Sequence, residues 1–144
     1  MKTLIIYFSF TGNTRRLVSR LKEENNADLV EVFEEGNRSK AGAFTGGVMK
    51  SRKMKPAKLQ PVKVDFSLYD RIIVAAPIWG GYPAPAFNSI IDMIPEGSKI
   101  EILLTSSSGK VQKGEGEVKA RIVGKGIEIV SLQNIKTKKQ DNIE

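Results

Sequence analysis

The chain has 144 residues, 23 Lys and Arg against 16 Asp and Glu, a net charge of +7, and neither cysteine nor histidine. Those two absences exclude disulfides, zinc fingers, iron–sulfur clusters, thiol nucleophiles and His-based triads, so any acid–base chemistry must come from Asp, Glu, Lys, Tyr or a bound cofactor. With 40% hydrophobic and 27% charged residues, the composition fits one globular domain over 1–144, and its basic balance invites an anionic ligand or partner.

In chain order, an apolar run at Thr3–Phe8 predicts a buried strand, and a turn at Ser9–Thr14 leads straight into a helix over Asn13–Glu24. That helix turns Leu17, Val18 and Leu21 inward and its arginines outward. A weaker strand is expected at Asp28–Phe33. Glu35–Pro61 then carries Arg38, Lys40, Lys50, Arg52, Lys53, Lys55 and Lys58 against Glu35, nearly the whole +7 surplus. A helix at about 40–53 is weakened there by Gly46-Gly47.

Further strands are expected at Arg71–Ala76, Ile100–Thr105 and Ile127–Leu132. The helix at Pro85–Ile94 has Phe87, Ile90, Ile91 and Ile94 in one stripe. Another helix, around Glu115–Val123, turns Val118 and Ile122 inward. Apolar strands alternating with helices imply right-handed crossovers and an α/β, three-layer, doubly wound parallel sheet. No stretch approaches the ~18 apolar residues of a membrane span. The apolar start is also too short for a signal-peptide core, so a cytoplasmic protein is expected.

Three polar loops fall where strands end. Ser9-Phe10-Thr11-Gly12-Asn13-Thr14 joins a strand to a helix N-terminus, where unsatisfied N–H groups and hydroxyls can cradle a phosphate. The same residues equally describe a capped helix. The dinucleotide GxGxxG and the GxxxxGK[ST] patterns are both absent. Pro77-Ile78-Trp79-Gly80-Gly81-Tyr82 places two aromatics around a Gly pair. They could stack on a planar ring, or Trp79 could simply cover the core edge. Thr105-Ser106-Ser107-Ser108-Gly109 is the third loop. In open parallel sheets, ligands sit beyond the carboxyl ends of the strands.

The segments IIYFSFTGNT at 5–14, YDRIIVAAPIWGGYPAP at 69–85 and LLTSSSG at 103–109 resemble the flavodoxin family of FMN proteins over about residues 2–135. The resemblance implies strand order 2-1-3-4-5 with FMN at the carboxyl edge. Ser9, Thr11, Gly12, Asn13 and Thr14 would hold the phosphate. Pro77, Ile78, Trp79, Gly80, Gly81 and Tyr82 would border the flavin, with Trp79 or Tyr82 stacking on it. Thr105, Ser106, Ser107, Ser108 and Gly109 would approach the pyrimidine side of the ring.

The chain departs from the family in three ways. Serines replace the stacking tyrosine of the third loop, the balance is basic, and the sequence ends about where the last helix would begin. The expected function is electron transfer between partner proteins through FMN, with an acidic redox partner steered by the basic segment. The alternative is an FMN-dependent NAD(P)H:quinone-type reductase, for which an open third loop leaves room. A polyanion-binding module comes third, since the basic segment has one aromatic, Phe44, and nucleic acid needs stacking platforms. With the last helix missing, Ile5, Tyr7, Ile73 and Ala75, or their alternates on the strands, would lie partly uncovered; a homodimer or another chain is expected over them, with a folded-back tail or the 35–61 segment as the alternatives.

Overall fold

The computed structural model describes residues 2–36, 46–109 and 113–137. Strands β1 (Thr3–Tyr7), β2 (Asp28–Glu31), β3 (Arg71–Trp79), β4 (Tyr82–Pro83), β5 (Lys99–Ser106) and β6 (Glu128–Lys136) alternate with helices α1 (Asn13–Asn25), α2 (Val48–Arg52), α3 (Pro85–Met93) and α4 (Glu115–Gly124). The long strands pair in the order β2-β1-β3-β5-β6, all parallel, which is the predicted 2-1-3-4-5 order once the short β4 is set aside. No helix among the described residues is long and apolar enough to cross a membrane.

The apolar runs form strands because both faces of the sheet are covered, so every residue of β1 is buried. Alternation then sorts side chains by face. Leu4, Ile6, Ile72, Val74, Ala76, Ile100, Ile102 and Leu104 meet Phe87, Ile90 and Ile91 of α3 and Val118 and Ile122 of α4. On the opposite face Ile5, Tyr7, Ile73, Ala75 and Leu103 meet Val18, with Leu17 and Leu21 packed alongside. Pro85 opens α3 at its first turn, where a missing N–H costs nothing.

The α1 face differs from expectation. Ile5, Tyr7, Ile73 and Ala75 are all buried, not partly uncovered as the sequence suggests. Further along that face the strands turn polar. Arg71 makes a two-pronged ion pair with Glu101, Nε to Oε2 at 2.5 Å and Nη2 to Oε1 at 2.8 Å, and donates to Asn25 Oδ1 at 2.8 Å. The sheet thus presents an ion pair, rather than uncovered hydrocarbon, beside the last residue of α1. The missing last helix expected from the sequence concerns residues 138–144, outside the described residues.

Two strands run longer than predicted. β6 continues to Lys136, and its pairing shifts between Ile100 and Glu101, so that Val130 is an extra, exposed residue. β3 continues through Pro77 and Ile78 to Trp79 because β4 folds back on it, pairing Ile78 with Pro83 and Trp79 with Tyr82. Gly80 and Gly81 make the turn with φ of 64° and 91°, the two successive positive values of a type I′ hairpin.

Within the basic segment, residues 37–45, with Arg38, Lys40 and Phe44 among them, lie outside the described residues. Of the helix expected at about 40–53, only Val48–Arg52 is an α-helix among the described residues. The strap after it is held firmly. Asn88 Nδ2 donates to the Lys55 carbonyl at 3.1 Å, and Ser89 Oγ donates to the Ala57 carbonyl at 2.6 Å and accepts from Ala57 N at 2.9 Å. An antiparallel bridge between Glu34 and Leu59 completes the attachment.

Candidate functional site

Parallel pairing brings the ends of β1, β3 and β5 to one edge, so the three predicted loops meet there. The first and third are joined directly. Thr14, at the start of α1, and Thr105, near the end of β5, are both fully buried, and their hydroxyls share a hydrogen bond of 2.9 Å.

Ser9 organises the first loop. Its hydroxyl accepts from Gly12 N and from Arg15 N, each at 3.2 Å. A side-chain oxygen here caps the helix N-terminus, although Ser9 precedes α1 by several residues. Gly12 has φ of 105°, a conformation that side-chain-bearing residues rarely adopt. Gly12, Asn13 and Thr14 are buried, while Thr11 is partly exposed.

Helical periodicity places Arg15 and Arg16 on the outward face of α1, and the fold gives them more to do. A Cβ placed on Gly12 would stand 3.4 Å from Arg16 Nη1 and 3.9 Å from Arg15 Nη1. Both guanidiniums therefore flank the point where α1 begins. Glu31, at the end of β2, accepts from Arg15 Nε at 2.9 Å and Nη2 at 2.5 Å, while Arg16 Nη2 donates to Asn13 Oδ1. Tyr7 donates its hydroxyl to the same Glu31 at 2.8 Å.

This network shifts the ionisation of its members. Burial and the Glu31 carboxylate push the Tyr7 phenol up to about 12. Burial alone would raise the Glu31 carboxyl, but hydrogen bonds from Arg15 and Tyr7 outweigh it and hold it below its ordinary value. The alternation of apolar residues in β1 put Tyr7 inside, but only the β1–β2 pairing reveals its carboxylate partner.

Trp79 does not stand open at this edge. It is 4% exposed and lies perpendicular to Phe8 and Phe10, with ring centres 6.0 and 5.4 Å away. This is the core-edge role, and it leaves the partly exposed Phe10 as an aromatic at the surface of the first loop. Phe10 could have been noticed in sequence as a ring set among hydroxyl residues.

Tyr82 is tied to α4. Its hydroxyl donates to Glu117 Oε2 at 3.0 Å, which holds the phenol above its ordinary value. A Cβ on Gly114 would fall 2.1 Å from Tyr82 Cε2, so the ring lies directly over that glycine. Gly114 N also donates to the Gly81 carbonyl at 3.1 Å. The hairpin tip is thus moored to the start of α4.

Pro77, Ile78, Gly80 and Gly81 remain at the edge, on the end of β3 and its turn. Pro77 is paired with Thr105 across the sheet. In the third loop, Ser106 Oγ accepts from Gly109 N at 3.0 Å, and the Ser106 carbonyl accepts from Thr137 N at 2.9 Å. Gly109 has φ of 67°, and a Cβ there would lie 2.7 Å from Lys136 Cβ. Ser107 and Ser108 are exposed. No group of acidic side chains among the described residues could hold a metal ion.

The edge therefore offers hydroxyls, a helix N-terminus and two guanidiniums at one end. At the other it offers a glycine hairpin and a serine loop.

No protein-family model matches the sequence, and no curated protein matches it. Solved structures do. A flavoprotein from Lactobacillus acidophilus NCFM, crystallised in complex with FMN, superposes with a TM-score of 0.76 at 22% identity, covering 91% of each chain. The apo form of the flavoprotein from that organism gives 0.67 at 22% identity, over 92% of this chain and 91% of that one. A flavodoxin of Streptococcus pneumoniae TIGR4 gives 0.51 at 16% identity, over 98% and 90%. Strand order and these likenesses agree: the chain has a flavodoxin-like α/β fold.

Proposed function

We propose that this chain binds FMN at the carboxyl edge and passes electrons between partner proteins. The observation that carries the reading is the Thr14–Thr105 hydrogen bond, which locks the hydroxyl-rich start of α1 to the end of β5. FMN ends in a phosphate, and the donor set at one end of the edge suits it. Ser9, Thr11, Gly12, Asn13 and Thr14 would surround the phosphate, with the Arg15 and Arg16 guanidiniums adding charge-assisted contacts. Pro77, Ile78, Gly80, Gly81 and the 105–109 loop would border the flavin.

A solved structure with this fold contains FMN, which supports the choice of ligand. When bound, FMN supplies the redox chemistry. The chain's contribution is to bind, orient and partly shield the cofactor. The absorbance spectrum of the purified protein after FMN addition tests the reading: a resolved, shifted flavin band that survives gel filtration is expected.

A second reading is supported by exposed Ser107 and Ser108, which stand in the third loop in place of an aromatic ring. A quinone-type acceptor would fit against an uncovered ring, making the chain an FMN-dependent NAD(P)H:quinone-type reductase. Consumption of NADH or NADPH by the FMN-loaded protein with a soluble quinone separates the two readings. Electron carriers leave the nicotinamide untouched.

A further inference from the structure

We infer that α2, the strap behind it and the tip of the β3–β4 hairpin together form the docking surface for an acidic protein partner. The inference rests on the redox reading above and names the class of partner that would meet the carboxyl edge.

Position comes first. α2 sits on the hairpin: a Cβ on Gly80 would fall 2.5 Å from Val48 Cγ1, and Arg52 Nε donates to the Gly80 carbonyl at 3.4 Å. On the other side of the tip, a Cβ on Gly81 would lie 3.3 Å from Lys113 Cβ. Two cationic side chains, Arg52 and Lys113, thus flank the two-residue turn that borders the proposed flavin position. The tip also has a carboxylate near it, Glu117 of α4, which is engaged with Tyr82.

This surface gathers its cations within a few residues of chain. Some cations elsewhere meet carboxylates: Arg15 with Glu31, Arg71 with Glu101, Lys119 with Glu115, and Arg121 and Lys125 with Asp92. Lys50, Lys53 and Lys55 are exposed and make no ion pair among the described residues, while Lys58 meets Glu35 at 3.4 Å. Unneutralised charge steers an oppositely charged partner before contact and favours it afterwards.

The surface also has an apolar contact point and a fixed backbone. Met49, between Val48 and Lys50, is 55% exposed. Asn88 and Ser89 clamp the strap at Lys55 and Ala57, so the cations ride on a chain already ordered, which lowers the entropy lost on docking. Charge complementarity selects the occupant. A nucleic acid is also anionic, but residues 46–61 contain no aromatic side chain for base stacking.

The test uses a strongly acidic [2Fe–2S] ferredoxin as the protein probe, added to the isotope-labelled full chain with and without FMN. Amide shifts at low salt should change at residues 48–55, 80–81 and 113. The variant Lys50→Gln/Lys53→Gln/Lys55→Gln should bind about tenfold or more weakly, and ionic strength above about 0.1 M should weaken the wild type similarly, since exposed charges are then screened within about 10 Å. These lysines are exposed, and far-UV circular dichroism checks that the variant is folded. No binding, binding unchanged in the variant, shifts on another face, or tighter binding of duplex DNA to these residues would each overturn the inference. A separate FMN titration reports on the redox reading alone, because docking measured on the FMN-free chain does not depend on it.

Discussion

Thr14 and Thr105 stand 91 positions apart in sequence and share a hydroxyl–hydroxyl hydrogen bond of 2.9 Å between two fully buried side chains. The bond crosses from the first turn of α1 to the end of β5, so it fixes the spacing of two loops that must act together if one ligand spans them.

Thr105→Val preserves the shape of the side chain and removes its hydrogen bond with Thr14. A typical intramolecular hydrogen bond contributes about 0.5–1.5 kcal/mol net. Urea denaturation should report a loss of that size for Thr105→Val. The double variant Thr14→Val/Thr105→Val should lose less than the two single losses combined, as expected for residues in contact. Strict additivity would mean that the bond does not couple the loops.

The mooring of the hairpin makes a steric prediction. Gly114→Ala places a methyl 2.1 Å from Tyr82 Cε2, and forcing atoms into a packed site typically costs about 1–3 kcal/mol. Replacing the tyrosine as well, in Gly114→Ala/Tyr82→Ala, removes the clash. The melting temperature should fall for the single glycine variant, and adding the tyrosine change should cost much less than it does in the wild type.

Stability should depend on pH at both extremes. Glu101, held down by its Arg71 hydrogen bonds, and Glu31, held down by Arg15 and Tyr7 against the opposing effect of burial, have folded values below the ordinary 4.5. Their contribution is present above that value and is lost as pH falls through the lowered folded values. Tyr7 is shifted the other way, from 10.0 to about 12. Its contribution is complete below 10.0 and is lost as pH rises from there towards about 12. Urea midpoints across pH should show a plateau with both shoulders. Tyr7→Phe should flatten the alkaline one, and Glu31→Gln should shrink the acid one.

The sequence made most of the sheet legible because strands buried on both faces read as unbroken Ile, Val and Leu runs, and α3 read as a Phe87–Ile90–Ile91–Ile94 stripe. Other features depended on partners far along the chain. The burial of Trp79 is set by Phe8 and Phe10, some 70 residues earlier. Gly80-Gly81 was legible as a flexible pair, but its hairpin required knowing that β3 runs on to Trp79.

The strap around Ala57 shows no periodicity because polar Asn88 and Ser89 hold its backbone. Arg15 and Arg16 read as a solvated helix face. Only the path of the chain through Gly12 shows both guanidiniums flanking the start of α1. At the site, then, residue types were readable and their orientations were not.

The central claim is that the edge binds a flavin through its phosphate. The most direct measurement is a paired titration of the purified, flavin-free protein with FMN and with riboflavin, following quenching of flavin fluorescence. The two ligands share the ring and differ by the phosphate that Ser9–Thr14 and the flanking arginines would hold. Charge-assisted hydrogen bonds contribute about 1.5–3 kcal/mol each when buried, so FMN should bind at least about tenfold more tightly than riboflavin. Arg15→Gln should narrow that gap while leaving riboflavin affinity unchanged. Equal affinities for the two flavins, or no quenching by either, would contradict the account.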